Sequence, residues 1–173
     1  MIGDEEFNEV LFEDAFVPDA MLVGDEGNGW QQVIAELAFE RSGPDRFLSS
    51  FKLLTELIRI SGEKPGERAA IAVGRLTAHL VTLRQMSLAV AAQLDAGIGP
   101  VVEATVVKDL GVAFEQSIPE IAHQLIGLSP RLVGGDDFEK ALAYVQQACV
   151  SFSLRGGTTE ILRGVIARGL GLR

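Results

Sequence analysis

The chain has 173 residues, 47% of them hydrophobic and 23% charged. That is enough for one domain with its own core and argues against global disorder. A formal net charge of -9 excludes nonspecific nucleic-acid binding, which needs clustered Lys and Arg to displace counterions. The single cysteine, Cys149, cannot form an intramolecular disulfide, and its apolar neighbours Ala148 and Val150 mark it as a buried structural thiol.

In chain order, Asp4, Glu5 and Glu6 stand where a signal peptide would carry Lys or Arg before an apolar run. No window reaches about 18 uninterrupted apolar residues. A soluble, cytoplasmic protein without membrane association is expected. Residues 7–12 are short, apolar and β-permissive, and residues 17–23 carry Pro18, which suits an edge or loop, so both are predicted as strand remnants. Residues 25–29 form a turn. From Trp30 the spacing becomes helical, with Val33, Ile34, Leu37 and Ala38 following at three- and four-residue steps.

Five helices are predicted from there. The first covers about residues 30–60, kinked near Pro44, because proline removes an amide donor and crowds the preceding turn. The second covers about residues 67–96, with Ile71, Leu76, Leu80, Leu83 and Leu88 among alanines, and ends at Gly97 and Gly99. Pro100 suits the first position of a third helix reaching Ile126. A link over residues 127–135 leads to Asp136 or Asp137, the N-cap of a fourth helix ending near Leu154. A short fifth helix follows Gly156 and Gly157, with Thr158 or Thr159 as its cap and Glu160 favouring the dipole in its first turn. Long helices on short loops predict an all-α fold: an antiparallel up-and-down four-helix bundle, a short fifth C-terminal helix and a short extended N-terminal segment.

Metal and nucleotide-loop chemistry find no support. His79 and His123 are far apart without Cys or carboxylates at ligand spacing, and Gly156-Gly157 lacks the strand and Lys of a phosphate loop.

Four stretches, in order, carry a resemblance. Phe7-Asn-Glu-Val, Val17-Pro and Leu22-Val-Gly-Asp-Glu-Gly-Asn-Gly-Trp come first; Leu37-Ala-Phe-Glu-Arg, Gln124-Leu-Ile-Gly and Arg155-Gly-Gly-Thr-Thr-Glu-Ile-Leu-Arg follow. The set resembles the acyl-CoA dehydrogenase family, in which a helical domain and a β-domain precede a C-terminal helical bundle. The resemblance implies that residues 1–27 are the end of the middle β-domain with its linker, and residues 28–173 the bundle. It also implies FAD as cofactor, an acyl-CoA substrate, an electron-transfer flavoprotein or similar acceptor, and a homodimer or tetramer. The chain is expected not to retain FAD by itself, since the flavin-facing β-domain would be missing.

The implied reaction is α,β-dehydrogenation, in which a carboxylate removes the α-proton and the flavin takes the β-hydride. Many members carry that base in a Tyr-Glu-Gly-Thr loop, but the matching positions here read Arg155, Gly156, Gly157 and Thr158. A minority carry it on the first bundle helix before an Arg, which points to Glu40 as base with Arg41 on the substrate side. The backbone amide of Gly156 matches the donor to the thioester oxygen. Thr158 and Glu160 match contacts to the cofactor of the same subunit, at a helix N-terminus suited to a pyrophosphate. Arg68, Gln124 and Gly127 match contacts to the neighbouring subunit's FAD, although Ile71, Ala72, Leu128 and Ser129 depart from the family pattern around them. Two alternatives stay open: a non-catalytic structural or oligomerisation subunit of such an assembly, and a flavin oxidase or monooxygenase on the same fold.

Overall fold

A computed structural model describes residues 8–127 and 133–172, so Phe7, Leu128 and Ser129 lie outside the described residues. These contain no strand. Residues 8–18 form no regular element, and the 3-10 turn Asp19–Met21 interrupts the second expected strand. A strand exists only by pairing, and these residues have no ladder to join.

Six α-helices follow among the described residues: α1 (Gly29–Ser42), α2 (Phe51–Ser61), α3 (Glu67–Asp95), α4 (Val101–Ile126), α5 (Asp137–Ala148) and α6 (Thr159–Gly169). The expected fold class, all-α, is what the described chain forms. The first predicted helix is not kinked but divided. Gly43, extended at ψ 155°, and the 3-10 turn Pro44–Arg46 separate α1 from α2. Pro100 is the N-cap of α4 rather than its first residue, and the fourth predicted helix stops at Ala148, continuing as the 3-10 segment Cys149–Leu154.

Local chemistry explains the boundaries. Asp136 opens α5 with a reciprocal capping box: its Oδ1 accepts from the Glu139 amide at 2.8 Å, and its own amide donates to Glu139 Oε2 at 3.0 Å. On α3 the buried residues Leu76, Leu83 and Val90 recur every seven positions, the seam expected of one long helix lying along another. Ile71 and Leu88, two members of the predicted stripe, fall off that seam and are exposed.

The organising element is α4, which packs against all five other α-helices. Its buried stripe includes Ala104, Lys108, Gly111, Glu115, Ile118 and Ala122, residues that share one face at three- and four-residue steps. Gly111 lets the Pro44–Arg46 turn lie directly on this helix, since any side chain there would run into the Arg46 carbonyl. Pro119 sits inside α4 and cannot donate to the carbonyl four residues back. Ser50 Oγ donates to that Glu115 carbonyl instead, at 3.2 Å, which ties the start of α2 to α4.

Candidate functional site

The site lies where the C-terminal turns of α1, the Pro44–Arg46 turn, the middle of α4 and the loop before α6 meet. Glu40 and Arg41 end α1 on different sides of it. Arg41 is 7% exposed, and its Nε donates to the Gly156 carbonyl at 2.8 Å. Burial holds the Arg41 guanidinium below its ordinary value, with the Glu40 charge acting against that. Glu40 keeps 42% of its side chain exposed. Arg46 holds Glu40 twice: its Nη2 pairs with Oε1, and its Nε donates to the Glu40 carbonyl at 3.0 Å.

Gly156 and Gly157 have φ of +66° and +114°, conformations open to glycine at little cost. A Cβ on Gly156 would lie 3.3 Å from Glu40 Oε1, 3.6 Å from Arg41 Cγ and 3.8 Å from Lys108 Cε. The helix glutamate and the loop position, far apart in sequence, therefore share one small volume.

Beneath them lie charges that the motif reading did not single out. Lys108 is fully buried, and its Nζ donates to the Phe152 carbonyl at 2.7 Å. Burial first, then the nearby Arg46 and Arg155, bring its ammonium down to about 8. Glu115, also fully buried, accepts from the Ser49 amide at 2.6 Å on Oε1 and from Arg155 Nη2 at 3.1 Å on Oε2. Burial pushes the Glu115 carboxyl up, and the Ser49 amide and Arg155 pull it back. Arg155 Nη1 also donates to Ser49 Oγ at 3.0 Å, and its guanidinium stacks 4.3 Å from the Phe152 ring centre.

Arg68 and Gln124 come together elsewhere, lining a groove of about 480 Å³ between α3 and α4 that also holds Ile71, Arg75 and His79. Gln124 Nε2 donates to Glu120 Oε1 at 3.2 Å. Gly127 closes α4 in the left-handed region at φ 66°, its amide bonded to the His123 carbonyl. Thr158 is the N-cap of α6, but its hydroxyl does not bond the helix amides. The Glu160 carboxyl is held below the ordinary range by its own amide and then by the Thr158 hydroxyl. Thus Arg68 and Gln124 share one surface, while Thr158 and Glu160 stand at the start of α6, next to the loop carrying Gly156.

Among the described residues no three His, Cys, Asp or Glu side chains converge as a metal site, and no helix is long and apolar enough to cross a membrane. Cys149 is half-buried, its thiol pushed up by burial.

No family model matches the chain. It is similar to the acyl-CoA dehydrogenase FadE34 of Mycobacterium tuberculosis, 29% identical over 174 residues that make up 97% of this chain and 23% of that protein. It is also similar to the acyl-CoA dehydrogenase IpdE1 of the same organism, at 30% over 98% of the chain and 45% of the relative. The IpdE1 of Mycolicibacterium smegmatis is 28% identical over 99% of the chain and 44% of that protein. The chain thus spans less than half the length of the curated relatives it matches. Over nearly its whole length, this chain is similar to acyl-CoA dehydrogenases.

Proposed function

We propose that this chain supplies the helical-bundle part of a FAD-dependent acyl-CoA dehydrogenase site, with Glu40 as the base that removes the α-proton. One observation carries the reading: Glu40 Oε1 occupies the space against Gly156 into which a loop carboxylate at position 156 would project. A carboxylate reaching the same volume from a different element can serve the same proton.

The other residues act around that transfer. The Gly156 amide donates to the thioester oxygen, so that enolate charge is stabilised as the α-proton leaves. Arg41 holds the Gly156 carbonyl, fixing the plane of the following peptide. Arg46 orients the Glu40 carboxylate and must release part of its grip for Glu40 to accept a proton. When bound, FAD accepts the β-hydride.

The residues present fit one edge of such a cofactor. Arg68 and Arg75 have no ion-pair partner among the described residues and line one groove with Gln124, a suitable surface for an anionic cofactor of a neighbouring subunit. Thr158 and Glu160 stand at a helix N-terminus suited to the cofactor of the same subunit. This reading entails a homodimer or tetramer, and an electron-transfer flavoprotein or similar acceptor to reoxidise the enzyme.

The test is anaerobic mixing of the complete FAD-loaded enzyme with an acyl-CoA. Bleaching of the flavin absorbance is expected, and an unbleached flavin would contradict the reading. The close pairing of Arg46 with the Glu40 carboxylate favours one second reading, a non-catalytic subunit that keeps the bundle for assembly. That reading predicts a stable, FAD-containing oligomer that acyl-CoA leaves unbleached.

A further inference from the structure

The two groups that the proposed reaction needs, the Glu40 carboxylate and the Gly156 amide, sit on segments with no covalent reason to stay in register. Glu40 is oriented by Arg46, which belongs to the link between α1 and α2. Gly156 lies in a two-glycine loop, the least restrained kind of backbone. Arg41 ties α1 to the Gly156 carbonyl, and one fully buried side chain bonds to both the link and the loop. Glu115, at the middle of α4, gives its Oε1 to the Ser49 amide of the link and its Oε2 to Arg155, the residue before Gly156. Arg155 closes the triangle by donating to Ser49 Oγ.

We infer that Glu115, acting through Ser49 and Arg155, is the positioning residue that holds the Glu40-bearing and Gly156-bearing segments in register; its catalytic meaning rests on the function proposed above. A buried carboxylate is costly unless its oxygens are satisfied, and here each oxygen is bound to a different one of the two segments. Removing the carboxylate costs both segments a bond at once and leaves the Arg41 and Arg155–Ser49 bonds as the remaining ties. Removing Arg155 releases only the loop, because the Ser49 amide keeps its acceptor.

That asymmetry gives the test, made on the 173-residue chain by 15N relaxation of backbone amides. In the parent chain Ser49, Gly156 and Gly157 should show order parameters near those of rigid backbone, about 0.85. Glu115→Met should bring all three below about 0.6. Arg155→Met should loosen Gly156 and Gly157 and leave Ser49 rigid, and Arg155→Lys should restore part of the loop's order. If Glu115→Met does not fold, the isosteric Glu115→Gln, which loses the charge but not the shape, should loosen at least one of the two segments. Rigid Ser49 and Gly156 in both Glu115 variants would overturn the inference, as would equal loosening of Leu142 on α5, which would make Glu115 a general core residue. Glu40→Gln should leave these order parameters unchanged. A failure of acyl-CoA to bleach the complete enzyme would therefore strike the function alone.

Discussion

Glu40 Oε1 and the position of a Cβ on Gly156 are 3.3 Å apart, so a side chain at 156 and the Glu40 carboxylate compete for one place. The competition predicts which exchange of bases succeeds. Glu40→Ala with Gly156→Glu clears the space and should recover part of the flavin reduction lost in Glu40→Ala alone. Glu40→Gln with Gly156→Glu leaves the carboxamide in the way and should recover less. Equal recovery in the two double variants, read by stopped-flow bleaching, would show that the two positions do not share a volume.

Gly156→Ala tests the same loop through stability. At φ +66° a Cβ meets its own backbone, and left-handed conformation costs an L residue roughly 1–2 kcal/mol. Urea denaturation should show a loss of about that size. An unchanged midpoint would mean that the loop readily adopts another conformation.

Lys108 makes stability depend on pH in the alkaline range. Its folded value of about 8 lies below the ordinary 10.5, so the folded state sheds this proton first. Between those two values the unfolded chain binds more protons, and stability contributed by this group rises with pH. The parent chain should therefore gain stability relative to Lys108→Met between pH 8 and 10.5, as measured by urea denaturation. A pH-independent difference between the two would contradict the buried cation.

The N-terminal segment and α1 expose large apolar side chains, with Phe12 80%, Phe16 88%, Val23 79% and Trp30 73% accessible. Large apolar side chains left this accessible tend to find partners. The chain should self-associate at about 100 μM in sedimentation experiments, a concentration at which even modest apolar interfaces form. A clean monomer would count against it. For a related reason the isolated chain should be colourless and bind FAD no tighter than about millimolar, since an open, one-sided groove buries too little of a ligand. A yellow preparation with stoichiometric flavin would overturn that.

Much of this was legible in the sequence, and the failures have physical causes. The helix ends at Gly97 and Asp136 were readable because caps are local chemistry, and the start of α6 at Thr158 was readable from the two glycines before it. The stripe begun at Trp30 held in part: Ala38 is buried and Ile34 and Leu37 are half-buried, while Trp30 and Val33 face outward. Glu40 and Gly156 were singled out through the motifs that carry the resemblance. Glu115 and Lys108 were missed because a charged residue in a helix is ordinarily solvated. The signal was present in their register, since both fall in phase with Ala104, Gly111, Ile118 and Ala122 on the apolar face of α4. Arg155 was noticed only as a departure from a motif, and its partners Ser49 and Glu115 are set by tertiary contacts that spacing alone does not reveal.

The central claim is that Glu40 accepts the α-proton, and Glu40→Gln in the complete FAD-loaded enzyme tests it most directly. The amide keeps the shape and can still meet Arg46, so FAD and acyl-CoA binding should stay nearly intact. The rate of flavin bleaching by acyl-CoA should fall on the order of 10³-fold, as expected for loss of a positioned base. Bleaching at the parent rate, with both ligands bound, would show that Glu40 is a structural partner of Arg46 and that the base lies elsewhere.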